Sequence, residues 1–333
     1  MSYDNELMNA IKMLIGSVKE MQTTIEQLSR NDYAVECALN NIKWELFANE
    51  YVNGERIVYP QIEPIDNTIN KIINDKISMS RFGDGEFSII NGKSRQGFQR
   101  EQPLLAERLL QVFRSKDNNH IVCIPDMYGD LSMYNTDGRY NIRAYLTSEI
   151  RKQHYELMDM NRIYGNTHIT RPYVIYADNN TDAPIKRFQK LRKIWDNRKL
   201  LIIEGEKTRM GVGNDLFDNA IDIVRILGPA IDAFDRYDDI LHEALQQDKD
   251  RLVLIALGAT ATVLAYDLSR EGFQALDIGH IDIEYEWMLA GKGERTEIKH
   301  KFNNEVEGGN VVYDIDAPEY EKQIIAKYLN GRL

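Results

Sequence analysis

The sequence has only two cysteines among its 333 residues, Cys37 and Cys123, and no CxxC pair. Two distant thiols offer neither a disulfide framework nor a zinc-finger spacing, and they are typical of a reducing compartment. No apolar stretch approaches the roughly 20 residues of a membrane-crossing helix. The N-terminus also lacks the basic start and apolar run of a signal peptide. We therefore expect a cytoplasmic protein without a membrane span.

A basic excess is also missing, because 52 acidic residues outnumber 41 basic ones and give a formal net charge of −11. A nucleic-acid binder needs a basic face, so we expect no nucleic-acid partner. A small anionic ligand stays compatible with this charge, since local cations or a metal can outweigh the global field. The length of 333 residues suits one large domain with additions, or two domains, and the hydrophobic content of 43% supports a packed core.

An apolar heptad stripe runs along the N-terminal segment. Its members step alternately by four and three, and they are Leu7, Ile11, Leu14, Val18, Met21, Ile25, Leu28, Val35, Leu39, Ile42 and Leu46. β-branched residues at a with leucine at d favour a parallel two-stranded coiled coil, which Asp32 interrupts. We predict a coiled-coil oligomerisation helix over residues 1–50 that self-associates through residues 7–46. The alternative is a helix that packs on its own catalytic domain.

Residues 51–64 contain Gly54, Pro60 and Pro64 and read as a linker, which leaves residues 65–333 as the catalytic domain. In that domain helical and strand-like segments alternate. Helices are expected at TINKIINDK, LLAERLLQVFRS, DRYDDILHEALQQDK and ATATVLAYDLSREG, strands at HIVCIP, RKLLIIEG, RLVLIALG and FQALDIG, and NAIDIVRILGP is expected to begin as a helix. This alternation predicts an α/β fold with a Rossmann-like, mostly parallel sheet. Ligands of such sheets bind at the carboxyl ends of the strands.

Two glycine-marked strand ends are candidate binding loops. In GEKTRMGVGNDLF, the glycines allow close approach of a ligand and Arg209 offers a fork for phosphate oxygens, while Asn214 is expected to open a helix. In LGATAT, Gly258 ends a strand, and Thr260 or Thr262 falls where a helix begins and could bind an anion. The alternative for the first stretch is a loop without a ligand, and the alternative for the second is an ordinary helix cap.

Two acidic stretches are candidate metal sites. DIGHIDIEYEW contains His280 and Asp282, whose nitrogen and oxygen donors suit Mn²⁺ or Mg²⁺. SRFGDGEFSIING places Arg81 before Asp84 and Glu86, as a metal site beside a phosphate would require. The alternative for the first stretch is a set of solvated acids around a structural histidine, and the alternative for the second is a surface turn.

Five motifs, taken in order, resemble the GT-D fold bacterial glycosyltransferases, a family first catalogued as a domain of unknown function. They are SRFGDGEFSIING, TRPY at residues 170–173, TRMGVGNDLF, LGATATVLAYDL and DIGHIDIEYEW. The resemblance covers roughly residues 65–315. It implies a metal-dependent transferase with an Asp-x-Glu motif, here Asp84-Gly85-Glu86. It also implies a UDP-sugar donor, most often UDP-glucose or UDP-galactose, and an acceptor that is a bacterial surface glycan or glycoprotein such as an adhesin.

On this basis Asp84 and Glu86 are expected to hold Mn²⁺ or Mg²⁺. His280 or Asp282 is expected to complete the metal shell or to act as acceptor base. The residues expected to bind nucleotide or substrate are Arg81, Gly83, Arg171, Thr208, Arg209, Gly211, Gly213, Asn214, Gly258, Thr260 and Thr262.

Two other functions are compatible with parts of the sequence. LVLIALGATATVLAYDLSREGFQALDIG follows the rhythm of a Rossmann-like S-adenosylmethionine-dependent methyltransferase, although its turn has one glycine and such an enzyme does not need Asp84 and Glu86. A non-catalytic coiled-coil scaffold with a degenerate nucleotide-binding domain is the second alternative.

Overall fold

The structure is a computed structural model that describes residues 2–27, 35, 39, 51–52, 55–56, 59–93 and 99–330. Contacts divide the chain into two compact units. The larger unit comprises Ile62–Asp126, Ile163–Val174 and Asn179–Leu333, and the smaller one groups the N-terminal segment with Met127–Arg162 and Ile175–Asp178.

A nine-stranded sheet organises the larger unit, and its strand order is β11-β8-β7-β9-β10-β4-β5-β6-β3. The strands are β3 (Gln61–Ile62), β4 (Ser78–Arg81), β5 (His120–Ile124), β6 (Ile163–Asn166), β7 (Lys199–Gly205), β8 (Asp222–Gly228), β9 (Leu252–Ala256), β10 (Gln274–Asp277) and β11 (Ile324–Lys327). A separate short pair is formed by β1 (Tyr51–Val52) and β2 (Glu55–Arg56). The pairings from β11 through to β6 are all parallel, as the sequence predicts.

Helices of the larger unit connect these strands and cover the sheet. They are α2 (Ile65–Asn74), α3 (Asp84–Ile90), α4 (Pro103–Arg114), α7 (Ala183–Arg192), α8 (Tyr237–Leu245), α9 (Ala259–Arg270), α10 (Ile281–Ala290) and α11 (Pro318–Gln323), while α1 (Ser2–Gln27), α5 (Thr136–Tyr145) and α6 (Ser148–Leu157) belong to the smaller unit. Short 3₁₀ turns lie at Thr167–Thr170 and Ala233–Arg236. Among the described residues, we find no helix whose length and apolarity would let it cross a membrane.

Both faces of the central strands are buried, which explains their nearly continuous apolar sequences. On one face Ile69 of α2, Phe188 of α7 and Trp287 of α10 belong to a single core cluster with alternate strand residues. The intervening strand residues, such as Leu201 and Val253, are buried toward the other face. There α9 packs against β4 and β10 and contacts α4 and α8.

The predicted strands at β5, β7, β9 and β10 are confirmed, whereas two helix predictions in the middle of the domain are wrong. Residues 222–228 of NAIDIVRILGP form β8, which pairs with β7 along its whole length. β-branched Ile223, Val224 and Ile226 suit this strand, and burial between neighbours outweighs the helical pattern before them. Asn214 begins turns and no helix, and its side-chain oxygen accepts from the Leu216 amide at 3.0 Å.

The N-terminal helix belongs to the smaller unit. Glu20 of α1 forms ion pairs with Arg139 at 2.8 Å and with Arg143 at 3.2 Å, both on α5. The heptad residues Leu7, Ile11, Leu14 and Val18 are between 44% and 59% exposed. The helix therefore contacts residues that the sequence assigned to the catalytic domain, while the first half of the stripe faces solvent. Leu28, Ile42 and Leu46 lie outside the described residues, and the coiled coil stays a prediction.

A buried histidine makes the smaller unit acid-sensitive. His154 contacts the hydroxyls of Tyr128 (2.9 Å) and Tyr145 (3.1 Å), and burial, assisted by nearby Arg151, lowers its pKa from 6.5 to about 3. The unfolded chain therefore binds a proton more readily than the folded one. The stability that neutral His154 contributes is complete above pH 6.5 and is lost as the pH falls toward 3.

We expect His154→Gln to flatten the pH dependence of unfolding. Between pH 7 and pH 5 the wild-type chain should lose about 2 kcal/mol through this group, because each pH unit below 6.5 contributes about 1.36 kcal/mol. Urea titrations at both pH values measure this loss. His242→Gln, at an exposed site in α8, is the matched control and should keep the wild-type slope. A His154→Gln chain with the wild-type slope would contradict the assignment.

Candidate active site

The site begins where β4 and β10 end side by side. Arg81, the last residue of β4, places Nη2 2.6 Å from Asp277 Oδ1 and donates from Nε to the Asp277 carbonyl at 2.9 Å. Its Nη1 donates to Thr170 Oγ1 at 2.9 Å. Gly279 permits this approach, because its φ is +41° and a Cβ there would lie 2.0 Å from the guanidinium. Arg81 thus ties two strand ends to the Thr167–Thr170 turn.

The Asp-x-Glu motif forms the first turn of α3, directly after β4. Gly83 is the residue before the helix, and its amide donates to Glu86 Oε2 at 2.8 Å. Asp84 is exposed, and both carboxylates lie at a helix N-terminus, which favours negative charge. Burial raises the pKa of Glu86 to about 7, with nearby Asp277 adding to the effect. Glu86 is therefore ready to lose a proton when a cation binds.

A second cation lies beside this motif. Arg171 donates to Glu305 Oε2 at 2.8 Å, and its Nη2 also contacts Glu305 Oε1. Burial opposes its charge, yet Glu305, Glu284 and Asp84 outweigh burial and raise the pKa of Arg171. Although burial disfavours the ionised form of Glu305, Arg171 leads the charges that hold its pKa below the usual range. Arg171 is thus a permanent positive charge within reach of Asp84.

His280 lies between Arg171 and Glu305. Its Nδ1 is 3.2 Å from Arg171 Nη2, and its Nε2 is 3.2 Å from Glu305 Oε1. Burial lowers the pKa of His280 to about 4, so the ring is neutral at pH 7. Nδ1 then accepts from the guanidinium and Nε2–H donates to the carboxylate. Both nitrogens are engaged, so His280 offers no lone pair to a metal while these contacts hold.

The charged groups at this edge of the sheet fit a divalent cation that is shared with a substrate. We call them the edge cluster, and they are Arg81, Asp84, Glu86, Arg171, Asp277, His280 and Glu305. Within the described part of the chain, no three His, Cys, Asp or Glu side chains form a complete metal cage. Mg²⁺ and similar cations are commonly held by one or two carboxylates together with substrate phosphates. Asp84 and Glu86 supply that number.

The glycine loop is tied to a C-terminal segment. Arg209 has a φ of +49°, and its Nη1 donates to the carbonyls of His300 (3.1 Å) and Tyr313 (2.8 Å). Gly211 and Gly213 have φ of +77° and +83°, a region that glycine adopts without strain. Arg209 therefore holds residues 300–313 over the loop in this structure, and its contact with phosphate stays a prediction.

A buried lysine network fixes the other side of this loop. Lys301 is fully buried, with Nζ 2.7 Å from Asp282 Oδ2 and 2.8 Å from Glu286 Oε1. The Asn214 amide donates to both acids, and the Gly211 amide donates to Asp282 Oδ1 at 2.9 Å. Both oxygens of Asp282 are thereby used in holding the loop. Its role as an acceptor base stays a prediction.

The start of α9 supports the strand ends. Gly258 precedes the helix with φ +55°, and Thr262 Oγ1 donates to the Arg81 carbonyl at 3.0 Å. Thr260 is fully buried, and within the described residues its hydroxyl has no hydrogen-bond partner. Thr208 lies in the turn after β7, where its amide donates to the Gly205 carbonyl at 2.8 Å.

Comparison with known proteins shows to which family this fold and site belong. The family model described as glycosyltransferase GT-D fold matches residues 79–306, which include Arg81, the Asp-x-Glu motif and Glu305. The chain belongs to this GT-D family. The resemblance seen in the sequence is confirmed, and the methyltransferase alternative is not supported.

Named relatives agree with this placement. Glycosyltransferase GlyD of Streptococcus pneumoniae serotype 4 is 36% identical over 276 residues, which is 81% of this chain and 33% of the relative. A probable glycosyl transferase, Gly, of Streptococcus gordonii is 36% identical over 79% of this chain and 38% of its own length. The chain thus spans about a third of the length of these two relatives.

Solved structures show the same GT-D architecture. A structure described as a new glycosyltransferase from Streptococcus sanguinis superimposes with a TM-score of 0.75 at 34% identity, covering 81% of this chain and all of that one. Another, described as a domain with a distinct glycosyltransferase fold, gives the same TM-score and identity over 96% of its chain.

The structure brings together some of the predicted site residues and separates others. Arg81, Asp84, Glu86, Arg171 and His280 meet in the edge cluster, whereas Asp282 and Asn214 belong to the lysine network. Sequence reasoning placed Asp277 in the acidic stretch DIGHIDIEYEW but gave it no role, and it did not select Glu305 or Lys301. Glu305 and Lys301 lie in an irregular segment without any periodic signal.

Proposed function

We propose that this GT-D glycosyltransferase moves a hexose from a UDP-sugar, UDP-glucose or UDP-galactose, to a bacterial surface glycan or glycoprotein, with Mn²⁺ or Mg²⁺ as cofactor. The observation that carries the proposal is the pair of carboxylates, Asp84 and Glu86, on the first turn of α3 at the carboxyl edge of the sheet. Family membership supports the reaction class. The donor nucleotide, the metal and the acceptor are our proposals.

Five residues of the edge cluster have a role in this reaction. Cleavage of the bond between the sugar and UDP develops negative charge on the diphosphate, and a bound divalent cation would offset that charge. Asp84 and Glu86 would hold this cation together with phosphate oxygens. Arg171 places a fixed positive charge beside them, and the Arg81–Asp277 pair keeps the strand ends in position.

A panel of nucleotide sugars with Mn²⁺, scored for release of the nucleotide, tests the proposal. We expect UDP-glucose or UDP-galactose to give turnover above the GDP- and CMP-sugars. Turnover of any nucleotide sugar would also exclude a purely structural scaffold. If no nucleotide sugar is cleaved while S-adenosylmethionine stabilises the fold against heat, the proposal is wrong.

We also propose that the chain acts in the cytoplasm, where nucleotide sugars are made, and that it self-associates through residues 7–46. The exposure of Leu7, Ile11, Leu14 and Val18 on α1 supports self-association, because an apolar stripe is stabilised by burial against a second helix. Two active sites in one assembly would raise the effective concentration of a repetitive acceptor.

Light scattering of the full chain and of a chain starting near residue 58 tests the self-association. We expect the full chain to be an oligomer, most simply a dimer, and the shortened chain to be a monomer or more weakly associated. The shortened chain should keep UDP-sugar hydrolysis but lose rate on long acceptors relative to short ones. A monomeric full chain would refute the coiled coil, and a fully dimeric shortened chain would move the interface elsewhere.

A further inference from the structure

A cavity of about 370 Å³ lies at the N-terminal ends of α4 and α8, and no member of the edge cluster lines it. Its walls include Gln102, Phe234, Asp235, Tyr237 and Asp238. A volume of this size falls within the range of sites for small organic ligands. The proposed donor chemistry does not use these side chains.

The cavity opens on the same edge of the sheet as Asp84 and Glu86. Helix α4 leads into the amino end of β5, and α8 leads into the amino end of β9. Since both strands are parallel to β4, the N-termini of both helices lie at the carboxyl edge. A chain-like substrate that reacts at that edge can therefore extend toward the cavity.

Contacts within the protein hold the cavity wall in place. Asp232 adopts a left-handed conformation with φ +54°, and its Oδ1 accepts from the Arg100 amide at 2.7 Å. Gln102 Nε2 donates to Asp235 Oδ1 at 2.6 Å. Behind the wall, the hydroxyl of Tyr237 donates to Asp267. The turn that carries Phe234 and Asp235 is thus fixed before any ligand binds, which lowers the entropic cost of binding.

The chemistry of the wall suits a neutral, hydroxyl-rich ligand. Phe234 and Tyr237 form an aromatic pair with ring centroids 5.1 Å apart, which offers apolar surface to the C–H face of a sugar ring. Carboxylate, amide and guanidinium groups beside them can bind neighbouring hydroxyls. Arg100 in the wall pairs with Asp235, and Arg108 pairs with Asp267 behind the wall, so an anionic ligand gains no net attraction.

We propose that this cavity is a saccharide-binding subsite that holds a neutral sugar unit of the acceptor, away from the reacting hydroxyl. The binding of a neutral saccharide stands on the cavity alone. Its assignment to the acceptor rests on the proposed function. The subsite would favour acceptors of more than one sugar and would not take part in binding the donor.

Saturation-transfer NMR with lactose, cellobiose and N,N′-diacetylchitobiose tests the subsite on the full chain, with glucose 1-phosphate as the charged comparison. We expect at least one neutral disaccharide to bind, and to stay bound when UDP and Mn²⁺ are added in excess. Phe234→Ala and Gln102→Ala should each weaken binding by about 3- to 10-fold, the effect of losing one contact of this kind. Asp238→Ala should weaken it as well, whereas Asp239→Ala, at the neighbouring exposed acid that pairs with Arg236, should not.

Three results would overturn the subsite: no neutral disaccharide binds, UDP displaces the sugar, or both Phe234→Ala and Gln102→Ala bind like the wild type. The Gln102 side chain makes no capping hydrogen bond to α4, so its substitution leaves that helix intact while it removes the contact with Asp235. UDP-sugar turnover by the wild-type chain is measured separately. Sugar binding without turnover would reject the proposed function alone, and turnover without sugar binding would reject the subsite alone.

Discussion

Asp84→Asn and Glu86→Gln should each reduce UDP-sugar turnover at least ~100-fold while the fold stays intact. Each substitution keeps the size of the side chain and removes one negative charge from the first turn of α3. Loss of a preorganised electrostatic contact to a transition state commonly costs ~10²–10³ in rate. Release of UDP in the presence of Mn²⁺, with circular dichroism of each variant, measures this effect.

The matched control is Asp66→Asn, which removes an exposed acid from the first turn of α2 and should turn over like the wild type. The Glu86 carboxyl, with its pKa near 7, adds a pH dependence. Below pH 7 it is mainly protonated and a poorer ligand, so the Mn²⁺ requirement should fall as the pH rises from 6 to 8. Glu86→Gln should lose this trend. Unchanged turnover in both acid variants would remove the metal role from the motif.

Lys301→Met should destabilise the chain by about 3–5 kcal/mol, the range for breaking a buried ion pair from one side. Lys301 is completely buried, and its loss leaves Asp282 and Glu286 without their compensating cation. Methionine fills most of the same space, so the change tests charge and not packing. Urea unfolding followed by fluorescence gives the free energy.

Lys299→Met is the matched control, because this lysine is two residues away and exposed, and it should change stability by less than about 0.5 kcal/mol. Adding Asp282→Asn and Glu286→Gln to Lys301→Met should recover part of the lost stability, since no uncompensated charge is then buried. If Lys301→Met is as stable as the control, the network does not hold the glycine loop as described.

The parts of the fold that the sequence predicted are those with long apolar runs. β7 and β9 are recognisable because burial on both faces requires nearly continuous Leu, Ile and Val. β4 was not predicted, although it is central and carries the site. It has only four residues, and two of them are serines whose hydroxyls bond to the carbonyls of Phe273 and Thr262. Because these serines form hydrogen bonds with residues far away in the sequence, the strand has no local pattern of apolar residues.

The site was predictable where it lies in short motifs beside strand ends. Asp84, Glu86 and Arg171 are close in space because they follow β4 and β6, two parallel strands that have only β5 between them. The partners that the structure adds are far away in sequence: Glu305 reaches Arg171 from 134 residues later. Its segment has no regular secondary structure, so neither periodicity nor spacing could place it.

Calorimetric titration of UDP into the EDTA-treated full chain, with and without added Mn²⁺, tests the central claim most directly. We expect UDP to bind with Mn²⁺ present and to bind undetectably or at least ~100-fold more weakly without it. Asp84→Asn should also weaken this binding strongly. UDP that binds equally well in the absence of a divalent cation, or equally well to Asp84→Asn, would contradict the assignment of Asp84 and Glu86 to a metal that holds the donor diphosphate.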